Sequence, residues 1–164
     1  MSFEGSHRQP ADVETVFGHF CDPEAIVGRY ENAGDSDVEI IDNGPDGDGW
    51  LIRTRRQVTV DLPGFARKVL QPTNTMTQTD RWSAPDADGS RDGTFAIEVA
   101  GAPIEVSGTM RLEPDGAGQA RQTVRGDLSV KVPLIGGRIA KWAQGDSQDR
   151  LDEELRYNEA SLSS

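Results

Sequence analysis

Two histidines, His7 and His19, and one cysteine, Cys21, are the chain's whole supply of nitrogen and sulfur side chains for holding a soft metal or pairing a nucleophile with a base. That is too few for a closed zinc site. His19 and Cys21 are two residues apart, a spacing that does not bring side chains together on a helix. No nucleophile elbow, Walker loop or dinucleotide fingerprint occurs. The acidic run Asp42 to Asp48 fails both the spacing and the twelfth-position Glu of a calcium loop. What remains is a set of polar residues in the otherwise apolar register of alternating segments. His7 follows Phe3, Arg56 lies among Trp50, Ile52 and Val58, Gln78 and Asp80 lie between Met76 and Trp82, and Gln122 precedes Val124. Inward polar groups must be paired or hydrated, so the set implies either a buried network or a cavity holding water or ligand. Arg56 and Asp80 then either form a structural ion pair or serve a ligand. Any acid/base chemistry would fall to His7 or Asp80. No catalytic residue, metal or cofactor is assigned.

The elements that must position these residues follow from periodicity. Residues 2 to 8 alternate as a short strand ended before Pro10. Ala11 to Phe20 carries Val13, Val16, Phe17 and Phe20 at helical spacing, and Asp22-Pro23 offers an N-cap and first-turn proline for a second helix to Glu31. From Asp37 the period becomes two, with strands expected at 37–42, 49–60, 74–83, 93–100, 103–113 and 119–132. They are separated by turn signals at Asn43 to Gly47, Asp86 to Gly93, Gly101 to Pro103 and Pro114 to Gly116. Between the third and fourth strands, Asp61 to Leu70 is too long for a tight hairpin. Leu62, Phe65 and Val69 fall at i, i+3 and i+7 there, the pattern of one apolar helical turn, read as a lid over a pocket or a plug for one end of the core. A helix from Gly137 to Leu162 ends the chain. Its apolar stripe shifts around the axis near Gly145, so one half is expected to face the strands and the other the small helices, with a possible bend at the glycine.

Seven alternating strands describe an antiparallel sheet with one wet face. Phe95, Ile97, Val99, Ile104, Met110 and Val124 take the inner register, whereas Glu98, Glu105, Arg111, Arg121, Arg125 and Lys131 take the outer one. Trp82, Phe95, Ile97, Met110 and Trp142 are the candidate apolar walls of a pocket. Arg56, Gln78, Asp80, Gln122 and His7 are its candidate polar groups.

The 164 residues, 35% hydrophobic and 27% charged, are one domain's worth, expected to fold as a unit over 1–164. A net charge of -11 disfavours nucleic acid as a partner. One cysteine excludes an internal disulfide, no signal-like leader or apolar run of about 20 residues is present, and the expected address is the cytoplasm, without stable membrane insertion. Monomer and dimer both remain open.

The order strand, two helices, six strands, long helix resembles the START-like helix-grip superfamily (polyketide cyclase/dehydrase and lipid transport, SRPBCC), an α+β fold in which a seven-stranded antiparallel sheet wraps around a long C-terminal helix. Leu62-Pro63 with Lys68, Asp80-Arg81-Trp82, Gly101-Ala102-Pro103, Gly108, Leu112 and above all the run from Val130 to Gly137 resemble an actinobacterial family of unknown function within it (DUF2505-like). Where that family's pattern has an acidic residue after the Gly-Gly segment, this chain has Ala140, so no role tied to that carboxylate carries over. The resemblance implies an internal cavity and a small hydrophobic or amphipathic, lipid-like ligand. A cyclase or dehydratase acting in the same cavity and a co-chaperone-like interaction domain are the alternatives.

Overall fold

The computed structural model describes residues 1–163. The chain begins with β1 (Ser2–Gln9), followed by α1 (Val13–Cys21) and α2 (Pro23–Asn32). Asp12 starts α1 by accepting from the Thr15 amide at 2.8 Å. Asp22 both ends α1 and starts α2, accepting from the Ala25 amide at 3.0 Å ahead of Pro23 at the first position. A meander follows: β2 (Ser36–Asp46), β3 (Gly49–Thr59), β4 (Thr73–Trp82), β5 (Arg91–Val99), β6 (Ile104–Pro114) and β7 (Ala120–Val130). The chain ends in α3 (Gly136–Ser163). All seven strands join one antiparallel sheet in the order β1-β7-β6-β5-β4-β3-β2, so the first strand returns to pair with the last. This is the helix-grip architecture, in the order the sequence implies.

Three local expectations are corrected. The segment Asn43 to Pro45 belongs to β2 rather than to a turn. Asn43 donates to the Cys21 carbonyl at 2.7 Å and accepts from the Trp50 indole at 2.8 Å, which holds it in the strand. Pro45 is tolerated because β2 is a sheet edge, and the reversal comes at Gly47, where φ is 59°. In the β3–β4 loop a short 3-10 turn, Gly64–Lys68, buries Leu62, Ala66 and Leu70, leaving Phe65 and Val69 only half-covered. Pro63 is extended, with φ -63° and ψ 151°, so no helical phase carries from Leu62 into the turn, and Ala66 rather than Phe65 faces inward. Finally, α3 runs unbroken through Gly145, and both halves face the sheet side. Ile139 packs with Leu62, Ala66, Val99 and Ile104, while Leu151 and Leu155 pack with Phe3, Val124 and Leu128. The second half also meets the small helices, through Leu162 in the cluster around α1 and Glu154 against Arg29 of α2.

Small residues set where the helix can sit. A Cβ on Gly5 of β1 would lie 2.7 Å from Leu155 Cδ1 and 3.2 Å from Leu151 Cδ2. Lacking one, β1 lets α3 approach closely, and α3 packs chiefly on β1 and β7. The helix is therefore close to one edge of the sheet and leaves space over β3 to β6.

Candidate functional site

That space is a cavity of about 210 Å³ between α3 and the inner face of the sheet. Trp82, Phe95, Ile97 and Met110 line it from β4, β5 and β6, and Trp142 lines it from α3. Arg56, Gln78, Asp80 and Gln122 also line it, because period-two alternation carries them to the same face as their apolar neighbours. His7 does not. It shares the inner register of β1, but its ring is beside the C-terminal half of α3, with Nε2 3.1 Å from Glu159 Oε2. Of the expected lid residues, none borders the cavity; Leu62, Phe65 and Val69 close the end of the core, and the wall residues from that loop are Val60 and Leu70.

The polar groups form a chain rather than a pair. Opposite Arg56 across the β3–β4 register is Met76, and opposite Asp80 is Ile52, so of the two alternatives a direct Arg56–Asp80 ion pair does not form. Instead Arg56 Nε donates to Asp35 Oδ2 at 3.0 Å, Arg56 Nη2 donates to Gln78 Oε1 at 3.0 Å, and Gln78 Nε2 donates to Asp80 Oδ1 at 2.9 Å. The Arg56 guanidinium also lies over the Tyr30 ring, 3.9 Å from its centroid. A second buried guanidinium, Arg29, has its Nε 3.7 Å from Glu154 Oε1 and lies 5.6 Å from the ring centroids of Phe20 and Tyr30. Arg29 Nη1 and Arg56 Nη1 are buried with no hydrogen-bond partner, although both residues line the cavity. Orphaned charged donors of this kind are costly unless something else satisfies them. Gln122 is tied differently, accepting from Gln9 Nε2 at 2.9 Å and Asn158 Nδ2 at 3.4 Å to join β7, β1 and α3.

Burial governs the protonation of the site. Desolvation pushes the Asp80 carboxyl up to about 6, against the opposing hydrogen bond from Gln78 and the charges of Arg29 and Arg56. It also raises the Tyr30 phenol. Outside the cavity, burial pushes the Cys21 thiol up to about 11 and lowers His19, which leaves Cys21 a protonated thiol and a poor nucleophile near neutral pH. At the rim, Arg150 of α3 donates to Asp35 Oδ1 at 3.3 Å, to the Thr59 carbonyl at 3.2 Å and to Asp146 at 3.0 Å. It thereby ties the helix to the far side of the cavity.

Sequence reasoning missed Arg29, Tyr30 and Asp35. For the first a signal existed: Arg29 stands three residues after Ile26 on α2, and this spacing puts it on the helix's buried face. Asp35 follows Gly34 in a connection without periodicity and carries no such signal.

Among known proteins, an uncharacterized protein of Mycobacterium tuberculosis, Rv0481c, is 25% identical over 101 residues, 61% of this chain; the match spans 58% of that relative's length. The lipid transfer and protein localization domain of human StarD13 superposes with a TM-score of 0.63 at 12% identity, covering 96% of this chain and 76% of that one. A START superfamily protein of Mycobacterium smegmatis gives 0.60 at 16% identity, with 98% of each chain covered. These two likenesses extend over nearly all of β1 to α3 and establish a START-like fold. Residues 4–161 match the family described as "Protein of unknown function (DUF2505)", and the chain belongs to that family.

Proposed function

We propose that the chain binds one small amphipathic molecule in the cavity, with its apolar body against Trp82, Phe95, Met110 and Trp142 and its polar end at Arg56 and Gln78. The observation that carries this reading is the pairing of a mostly apolar enclosure with one concentrated polar wall that retains two unsatisfied guanidinium nitrogens. Ligand pockets have this composition, apolar with a few convergent polar groups. At about 210 Å³ the space is below the roughly 300–1,000 Å³ of drug-sized pockets, so the occupant is small or displaces the wall as it enters. The lipid transfer domain of StarD13, built on the same fold, lends support by analogy. Binding needs no reacting group, and of the two residues named for acid/base chemistry, His7 and Asp80, only Asp80 lines the cavity.

The test uses the fluorophore 1-anilinonaphthalene-8-sulfonate, whose ring system and anionic end suit the two walls. Saturable, one-to-one binding is expected. Met110→Trp or Ala143→Trp, both cavity-facing, should weaken it at least about tenfold while leaving the fold intact, because a cavity accepts volume that a close-packed core refuses at a cost of about 1–3 kcal/mol. No binding by the wild type, together with loss of stability in both variants, would show a filled interior and end the proposal.

A further inference from the structure

Charge is unevenly spread over this acidic molecule. Most of its cations are held by carboxylates, from Arg8 with Asp115 to Arg150 with Asp35. Among the described residues, four cations without an ion pair, Arg67, Lys68, Arg138 and Lys141, come from two segments that meet at one end of the sheet, the β3–β4 loop and the β7–α3 junction. The Arg138 guanidinium lies 4.3 Å from the centroid of the Phe65 ring, and Phe65, Arg138 and Lys141 line one shallow groove. All three lysines of the chain, Lys68, Lys131 and Lys141, are in these segments. No acidic residue occurs from 62 to 72 or from 129 to 145. The first turn of α3 also lacks one, leaving the positive end of its dipole uncompensated at the same surface. Asp146 and Asp149 line the far side of that groove, with Asp146 taken up by Arg150 at 3.0 Å, and of the other flanking carboxylates, Asp61 and Glu105, the latter is engaged with Lys131. The opposite end carries Asp46, Asp48, Asp86, Asp88 and Asp115 on its loops.

Leu134 stands at the β7–α3 junction. Its side chain is fully exposed, whereas every other large hydrophobic described except Met1 is at least partly covered. Its φ is 70°, a left-handed backbone that branched side chains seldom adopt. The turn is fixed on both sides, with the Ile135 amide donating to the Pro133 carbonyl at 2.8 Å and the Gly136 amide to Val132 at 3.0 Å. A rigid apolar tip held in water beside unpaired cations is satisfied by nothing in the chain.

We infer that this end docks on an anionic lipid surface, with Leu134 entering the boundary between headgroups and acyl chains and Arg67, Lys68, Arg138 and Lys141 meeting lipid phosphates. An apolar tip beside basic residues is the chemistry of an interfacial anchor; nucleic acid offers phosphates but nowhere for the leucine. The net charge of -11 does not oppose contact. The acidic end lies roughly 40 Å away along α3, at about 1.5 Å per residue, against a Debye length of about 8 Å in physiological salt. The resulting charge separation instead turns the basic end toward the membrane. Trp142 and Leu70 belong to the same two segments and line the cavity, so docking brings the cavity up to the bilayer.

Vesicle sedimentation tests this. The protein should bind phosphatidylcholine vesicles containing about 30% phosphatidylglycerol at low salt, bind pure phosphatidylcholine weakly, and lose at least about tenfold in partitioning at about 0.5 M salt. Arg138→Glu with Lys141→Glu, and separately Arg67→Glu with Lys68→Glu, should each cost at least about tenfold. Leu134→Asp should cost severalfold, and Arg53→Glu, an exposed unpaired cation on β3, should cost nothing. Each variant is checked for unchanged thermal unfolding and for fluorophore binding, which separates this surface from the cavity. Failure to bind anionic vesicles, equal binding to neutral ones, or an Arg53→Glu loss matching that of the basic end overturns the inference while leaving the cavity proposal standing. An acidic protein partner or a second copy would show itself as one of those failures.

Discussion

Asp80 loses more by leaving water than it regains from Gln78, Arg29 and Arg56, and the consequence can be measured. Its folded value of about 6 exceeds the ordinary 3.8, so between those values the folded state holds a proton that the unfolded state has released. Its contribution to stability is therefore full below about pH 4 and is lost as pH rises through 6. Asp80→Asn mimics the protonated form, so the variant should match wild type near pH 4 and exceed it by about 2–3 kcal/mol at pH 7, as read by urea denaturation at both values. A difference independent of pH would mean that the carboxyl stays hydrated. For Arg56 the buried partner is Asp35. Breaking that pair with Arg56→Ala should cost about 3–5 kcal/mol, reduced by the hold Arg150 keeps on Asp35. In a double-mutant cycle Arg56 should couple more strongly to Asp35 than to Asp80, and the reverse ranking would disprove the network described above. Period-two alternation was enough to read Arg56, Gln78 and Asp80 as inward, because a strand has only two faces. It could not tell where along the sheet the helix would stand, and so it counted His7 in; Asp35, in the connection before β2, lies outside any alternation.

At the level of elements, the sheet depends on positions that carry no side chain. Gly126 of β7 sits under the Phe3 ring, and an added Cβ would overlap the ring at Cζ. The ring packs with Phe95, Leu128 and Leu155, so it has no free direction to move. Gly5 faces the ends of two leucine side chains, which can yield by rotamer change. Gly126→Ala should therefore exceed the usual 1–3 kcal/mol of overpacking, and Gly5→Ala should fall within it. Chemical denaturation of the two variants decides the order, and equal costs would mean that Phe3 is loosely held. Element order was almost wholly legible, since turn residues and the change of hydrophobic period fall where the chain changes structure. The misplacements have local causes. The side-chain bonds of Asn43 to Cys21 and Trp50 extend β2 past a sequence that looks like a turn, and the extended Pro63 separates Leu62 from the 3-10 segment, so that Ala66 faces inward in place of Phe65.

The whole molecule balances charges that its elements cannot balance one by one. With 28 acidic and 17 basic side chains, and many of the basic ones already paired, repulsion among carboxylates falls mainly on the end bearing the β2–β3, β4–β5 and β6–β7 loops. Salt acts on two opposed quantities there: it screens that repulsion and weakens the exposed ion pairs. Exposed pairs contribute little individually, whereas unpaired like charges sum over the end, so screening should prevail. The melting temperature should therefore rise between about 0.1 and about 1 M sodium chloride, as the Debye length falls from about 10 to about 3 Å. Asp48, exposed and in no ion pair, isolates the effect. Asp48→Asn should raise the melting temperature at about 0.1 M salt and leave it unchanged at about 1 M. A melting temperature that falls with salt would show that the ion pairs of the outer face, such as Arg111 with Asp92 and Arg125 with Glu4, outweigh repulsion at the acidic end.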